Sequence, residues 1–288
     1  MMEIVKRIGP ETARYAVLGE HLAHTWSPYI HNTLFEAAHA DAVYLPMTID
    51  REHLGSAVDV LRYCYRGFNV TIPYKEQILP YMDELDTRAS VMQAVNTVEV
   101  RDGRLIGHIT DGLGMMRAIQ ECGICVDRVN TLVLGGGGAA RVAGYEILER
   151  GGTVTFALRN PDKAQRLMDS LAPAFPDGTA RIHAAVLDRA EGRYDLIINC
   201  TPVGMYPNMD ACPISAEVIC SAGAVFDAVY NPRETVFLRT ARQAGIPAAE
   251  GFGMLYYQAV EAERFWDPAN LPDESVQSQI YESLLRQL

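Results

Sequence analysis

The sequence has no run of five or more basic residues and no window of 18 apolar ones. The first absence removes the clustered Lys and Arg that neutralise nucleic-acid phosphates or anionic lipid headgroups. The second removes a membrane-spanning helix. Positive charge is scarce overall: 25 Lys and Arg stand against 36 Asp and Glu, a net charge of -11. Nucleic acid is therefore not an expected partner, whereas a small anion held by one local basic pocket is still allowed. The opening "MMEIVKRIGPETARYAVLGE" carries no continuous apolar core of signal-peptide length, so a cytoplasmic location is expected. Cysteine is scattered, six in 288 residues, and its closest pair is Cys122 and Cys125 in "ECGIC". That pair opens no thioredoxin-like helix and has no second pair to complete a zinc site, so ordinary thiols and no metal are expected. His24 and His31 also lack acidic or thiol partners at ligand spacing and read as packed or capping side chains.

What is there is an ordinary globular composition, 49% hydrophobic and 21% charged. The length suits one large α/β domain or two medium ones. In the first half "TLFEAAHA" and "EHLGSAVDVLRYC" read as helices, and "YLPMTI" and "GFNVTI" as strands. The last strand reads as buried through Phe68, Val70 and Ile72 and broken by Pro73. Lys75 stands just beyond it, where a lone lysine is ordinarily a solvated helix start. "AVNTVEVRDGRLIGHIT" reads as a hairpin turning on Asp-Gly, which adds antiparallel pairing at one edge of a largely parallel sheet. In the second half "DGLGMMRAIQEC" is a helix, and the run from "RVNTLVLGGGG" to "GGTVTFALRN" is strand, glycine turn, helix and strand. "YDLIINCTPVGM" and "AVFDAVYNP" add strand-and-turn units, and helices such as "MLYYQAVEAERFW" end the chain.

The glycine turn carries the clearest mechanism. "LVLGGGGAAR" sets Gly135, Gly137 and Ala140 in the spacing G-x-G-x-x-A, after an apolar strand and at the start of a helix. The first glycine makes the tight turn, the second admits a pyrophosphate, and the small third residue lets helix pack on strand. The next strand ends in Leu158-Arg159-Asn160 with no acid at its tip. An arginine there suits a 2′-phosphate, which favours NADP(H), and the nearby Asp162 leaves NAD(H) open. Thr25 and Ser27, around the Ser-Pro of "GEHLAHTWSPYIHN", are candidate polar contacts whose ordinary reading is helix capping.

These blocks together resemble the shikimate dehydrogenase family and its quinate/shikimate dehydrogenase relatives, from Gly19 to about Trp266. The family's G-x-P-I-x-H-S-x-S-P-x-x-H-N is matched by "GEHLAHTWSPYIHN", its G-x-N-V-T-x-P-x-K by "GFNVTIPYK" and its G-A-x-N-T by "QAVNT". Its N-T-D-G-x-G appears as "ITDGLG", G-A-G-G-A-A-R as "GGGGAAR" and N-A-T-x-x-G-M as "NCTPVGM". Its D-x-x-Y-x-P-x-x-T-x-F-L is matched by "DAVYNPRETVFL", and its G-x-G-M-L-x-x-Q-A by "GFGMLYYQA".

The resemblance implies a two-domain α/β fold: a substrate-binding domain with a mainly parallel sheet, and a Rossmann-like NAD(P)-binding domain. The first would span residues 1–111, rejoined by C-terminal helices 254–288, and the second residues 112–253. It implies reversible reduction of 3-dehydroshikimate to shikimate with NADP(H), by a monomer or homodimer. Lys75 and Asp111 match the catalytic pair. Thr25 and Ser27 fall where two serines bind the substrate carboxylate, and Thr71, Asn96, Tyr230 and Gln258 where substrate oxygens are held. Gly135, Gly136, Gly137, Gly138 and Ala139 match the pyrophosphate loop, and Leu158, Arg159 and Asn160 the cluster around the 2′-phosphate. Thr201, Ala228, Gly251 and Met254 fall on the nicotinamide side, where their plain readings are a turn threonine, a packing residue, a turn glycine and a core methionine. Three positions depart from the family: Thr25 for serine, Leu158 for asparagine, and Ile109 for the asparagine before Thr-Asp. Ile109 cannot hydrogen-bond, so any polar support that asparagine gives Asp111 is expected to be lost. An NAD-dependent quinate/shikimate dehydrogenase and a non-catalytic ligand-binding paralogue are the alternatives.

Overall fold

The computed structural model describes residues 8–187 and 192–287. It is a mixed α/β structure, in which the chain divides into two compact units. The first holds the residues up to Thr110 together with Ala259–Gln287, and the second holds Asp111–Gln258. Among the described residues no helix is long and apolar enough to cross a membrane.

The first unit is built on strands β1 (Ala13–Gly19), β2 (Ala42–Thr48), β3 (Gly67–Val70), β4 (Glu84–Leu85), β5 (Thr97–Arg101) and β6 (Arg104–His108). They form one sheet in the order β2-β1-β3-β5-β6-β4. Helices α1 (Ser27–Ala37) and α2 (Leu54–Cys64) connect the first three strands, which run parallel. The short α3 (Tyr74–Gln77) and α4 (Thr87–Met92) follow β3 and β4. Tyr15 to Leu18 of β1 and all of β3 are buried, the continuous apolar run of a strand covered on both faces. The hairpin of β5 and β6 turns on Asp102 and Gly103, at φ 52° and 74°, the left-handed pair that a two-residue hairpin loop demands. It is not the outermost pair, because β4 lies parallel against β6. Strand β3 also ends sooner than its apolar pattern predicts. The Thr71 N–H bonds Leu18 O, and Thr71 O accepts from Tyr74 N–H (both 2.9 Å), which closes a turn. Ile72 is thereby thrown outward, 78% exposed rather than buried.

The second unit begins with α5 (Asp111–Glu121) and continues through β7 (Asn130–Leu134), α6 (Gly138–Glu149), β8 (Thr153–Leu158), α7 (Pro161–Leu171) and β9 (Ile182–Val186). It then runs through β10 (Leu196–Asn199), α8 (Ala216–Cys220), β11 (Ala224–Asp227), α9 (Val236–Gln243) and β12 (Ala248–Ala249). Helix α10 (Gly251–Trp266) gives its first residues to this unit and its last to the other, and α11 (Glu274–Leu285) belongs to the first unit. The sheet order is β12-β11-β10-β7-β8-β9, all pairs parallel. Counted from β7 this is the 3-2-1-4-5-6 order of dinucleotide-binding sheets, with its switch point between β7 and β10.

Candidate active site

In the first unit the parallel strands deliver their carboxyl ends to one edge of the sheet, where open α/β sheets bind ligands. Thr71 follows β3 there, and Lys75, one helical turn on, is half-buried in α3. The Lys75 carbonyl accepts from Val95 N–H at 2.7 Å, which ties α3 to the residue before Asn96. Asn96 is buried, and its side chain grips Thr110. Its Oδ1 accepts Thr110 N–H at 2.8 Å, and its Nδ2 donates to Thr110 Oγ1 at 3.0 Å. Beneath lies a second tier of polar groups. Tyr44 donates its hydroxyl to Asn69 Oδ1 (2.6 Å), and Asn69 Nδ2 donates to Thr97 Oγ1 (3.0 Å) and Asn96 O (3.1 Å). Thr97 Oγ1 and Thr110 Oγ1 share a further bond of 3.1 Å. Buried polar groups that satisfy one another in this way fix a single geometry. Ile109 is buried in the core, and Thr110, which follows it, is held by Asn96.

Thr25 and Ser27 lie beyond β1, at the start of α1, whose N-cap position is Trp26 with no side-chain capping bond. Thr25 Oγ1 accepts the Ser27 N–H at 3.4 Å and donates to Ser27 Oγ at 3.3 Å, which sets the two hydroxyls side by side. A Cβ on Gly19 would lie 2.6 Å from Thr71 Cγ2, so the turn after β1 packs closely on Thr71. Thr25, Ser27, Thr71, Lys75 and Asn96 are thus all set at one sheet edge. His24 is exposed, and His31 is packed. His31 Nδ1 lies 2.5 Å from Glu263 Oε1, and its ring stacks on Tyr44 with centroids 4.1 Å apart. Burial pushes the Glu263 carboxyl pKa up, and the hydrogen bond to His31 opposes that shift. Among the described residues no group of His, Cys, Asp and Glu is placed to hold a metal ion.

The second unit carries the remaining candidates. Gly135 sits at φ +107°, in the conformation that favours glycine. A Cβ on Gly137 or Gly138 would meet open space, so the amino end of α6 is bare and open to a phosphate. Leu158 is buried, and a Cβ on Gly136 would lie 2.2 Å from its Cδ2. It packs on the glycine turn in place of a polar group. Arg159 is exposed. Asn160 caps α7, with Oδ1 accepting from Asp162 N–H at 2.9 Å and Lys163 N–H at 3.2 Å. A residue that the sequence reading passed over also appears here. Lys163 Cε lies 3.4 Å from the position of a Gly136 Cβ, which lays the lysine back over the turn. Its signal was a lysine in the first turn of the helix after the Arg159 tip.

Thr201, Ala228 and Gly251 converge at the carboxyl ends of β10 and β11. Asn199 Oδ1 accepts from Thr201 Oγ1 (2.7 Å) and Thr201 N–H (3.0 Å). Ala228 N–H bonds Asn199 O at 2.9 Å, and a Cβ on Gly251 would lie 2.6 Å from Ala228 O. Tyr230 follows on the same loop, partly exposed. Asp111 begins α5, and Gly114 of the same helix packs so tightly on α10 that a Cβ would lie 2.4 Å from Gln258 N and 2.8 Å from Met254 O. Asp111, Met254 and Gln258 are thereby set on two helices in backbone contact.

A sequence model of the shikimate dehydrogenase substrate binding domain matches residues 17–98. The chain is 38% identical over 262 residues to shikimate dehydrogenase (NADP(+)) of Caldicellulosiruptor bescii, covering 88% of this chain and 90% of that one. Its structure is similar to shikimate 5-dehydrogenase of Thermus thermophilus in complex with NADP(H) and shikimate, with TM-score 0.84 and 33% identity over 96% of this chain and 100% of the other. It is also similar to shikimate 5-dehydrogenase of Listeria monocytogenes in complex with shikimate and NAD, with TM-score 0.88 and 29% identity over 98% and 99% of the two chains.

Proposed function

Because the chain belongs to the shikimate dehydrogenase family, we propose that it catalyses the reversible NADP(H)-dependent interconversion of 3-dehydroshikimate and shikimate. The observation that carries this reading is Lys75 beside Thr71 and the Asn96–Thr110 clamp, at the carboxyl edge of the first sheet. NADPH supplies the hydride when bound, and the chain must manage the proton and the charge. The Lys75 ammonium stabilises the oxyanion that develops at the carbonyl and returns a proton to it. Asp111 is its paired carboxylate, which favours the charged lysine and orients the substrate hydroxyls. The paired hydroxyls of Thr25 and Ser27 hold the substrate carboxylate, and Thr71, Asn96, Tyr230 and Gln258 hold its remaining oxygens. We place the enzyme in the cytoplasm, as a monomer or homodimer.

For the cofactor, Gly135 to Ala139 cradle the pyrophosphate at the amino end of α6. Arg159, joined by Lys163, faces the 2′-phosphate, and Thr201, Ala228, Gly251 and Met254 line the nicotinamide side. Leu158 and Asn160 shape this tip rather than charge it, the first by packing on Gly136 and the second by capping α7. Arg159→Ala is therefore expected to weaken NADP+ binding about tenfold and leave NAD+ binding nearly unchanged, as read by calorimetric titration. Equal weakening of both would take Arg159 away from the 2′-phosphate.

A second reading has one observation in its favour. Leu158 puts an apolar side chain at the strand tip where the family has asparagine, which suits an NAD-dependent quinate/shikimate dehydrogenase. Steady-state kinetics with shikimate and quinate, each with NADP+ and NAD+, separate the two. The highest kcat/KM is expected for shikimate with NADP+. A higher value for quinate with NAD+ would reverse the assignment, and no turnover with any pair would favour a non-catalytic paralogue.

A further inference from the structure

A fully buried carboxylate lies behind the residues assigned to the nicotinamide, and the reaction gives it no role. Asp227 ends β11, with Asn199 and Thr235 fully buried beside it. Its Oδ1 accepts from Asn199 Nδ2 at 2.9 Å and from Val229 N–H at 3.0 Å, and its Oδ2 accepts from Thr235 Oγ1 at 2.6 Å. Two of the donors are tied to the candidate site and the third to the helix behind it. Asn199 holds Thr201 through the two bonds to its own Oδ1. Val229 stands between Ala228 and Tyr230. Thr235 caps α9 by accepting from Leu238 N–H. Gly251 presses on the same place, since its Cβ would lie 2.8 Å from Asp227 O.

We infer that Asp227 is a positioning residue for the nicotinamide end of the cofactor, and that its buried negative charge favours NADP+ over NADPH; this rests on the cofactor reading above. The ring of NADP+ carries a positive charge that NADPH lacks, and every other part of the two molecules is alike. A charge buried behind that ring therefore acts on the difference between the two affinities, where solvent screens it least. All three hydrogen bonds to Asp227 favour the ionised form, whereas a hub whose only duty was packing could be neutral throughout.

The protonation state is open to experiment. Burial pushes the Asp227 pKa up to about 6, against the three hydrogen bonds that hold it down. Lowering the pH from 8 to 5 therefore discharges the group. The titratable groups set around it are the Cys200 and Cys212 thiols, which burial keeps neutral in this range, and the Arg233–Glu250 ion pair on the loops before α9 and α10. The cofactor's 2′-phosphate titrates nearby but is shared by both forms, so it cancels from their ratio.

The test is calorimetric titration of the full-length protein with NADP+ and with NADPH, for wild type at pH 8 and pH 5 and for Asp227→Asn at pH 8. The ratio of the NADPH Kd to the NADP+ Kd is expected to fall on the order of tenfold in the variant, and to fall likewise in wild type at pH 5. An unchanged ratio, including equal weakening of both ligands, would reduce Asp227 to a structural group and overturn the inference. If the variant does not fold, the wild-type comparison at the two pH values decides. Wild type binding neither cofactor at pH 8 would instead remove the cofactor reading, and this inference with it.

Discussion

Lys75→Ala is expected to lower kcat for shikimate oxidation about 10³-fold, with the Kd for NADP+ nearly unchanged. The size follows from what the ammonium is asked to do. It must stabilise the oxyanion and pass a proton, and an alanine does neither. The fold has little reason to suffer. Lys75 ties α3 to Val95 through its backbone carbonyl, which the substitution leaves in place, and the buried anchor of that helix is Tyr74. The cofactor candidates all lie after Asp111, which is why their affinity is expected to survive. A second variant separates charge from proton transfer. Lys75→Arg keeps the positive charge, but a guanidinium does not give up its proton in this pH range. It should recover binding of shikimate better than turnover. Steady-state kinetics with calorimetry read both, and near-normal turnover in Lys75→Ala would remove the lysine from its role.

Parts of the fold were legible because the local signals agreed with one another. The Gly135 turn and the Asp102-Gly103 hairpin each combine an apolar run with a left-handed backbone position that few residues other than glycine accept. Where the structure departs from the sequence reading, contacts that the local pattern does not encode decide. Ile72 continues the apolar alternation past the end of β3, yet the turn that Tyr74 N–H closes on Thr71 O throws it into solvent. Asn96, 13 residues before the buried Ile109, gave no sign in the sequence that it would clamp Thr110. The same holds for the tier beneath the site. Tyr44, Asn69 and Thr97 lie on three different strands, and no spacing rule links them. Helix α7 was passed over although its signals are present, an Asn160 cap, Pro161 in the first turn and a buried stripe of Ala164, Leu167 and Leu171. Strand β9 escaped because it is weakly patterned: His183 and Ala184 of "IHAAV" both face solvent. The buried cluster at Asp227 was missed for a related reason. An aspartate after an apolar strand reads as a turn residue until Asn199 and Thr235 are seen to close around it.

Gly114→Ala is expected to damage both stability and substrate affinity, and the two effects have one cause. Glycine in the middle of a helix ordinarily costs about 1 kcal/mol relative to alanine, so the substitution should help an isolated α5. Here the added methyl would lie 2.4 Å from Gln258 N and 2.8 Å from both Gln258 Cα and Met254 O. These are backbone atoms of α10, which no change of rotamer can move away. The helices must separate by more than an ångström, at an overpacking cost of about 1–3 kcal/mol or above. Separation displaces Gln258, proposed to hold a substrate oxygen, relative to Asp111 on the helix that carries the methyl. A fall in Tm of several degrees is therefore expected together with a KM for shikimate raised about tenfold. Gly112→Ala is the internal control. Its methyl would meet Val142 Cγ1 and Glu146 Cγ, side-chain atoms of α6 that can shift, on a face away from Gln258. It should lower Tm by less and leave KM alone. Thermal melts and shikimate titrations of the two variants distinguish a backbone crossing that sets the site from a glycine that merely fits. Equal effects of both on KM would mean that Gly114 has no special part in placing Gln258.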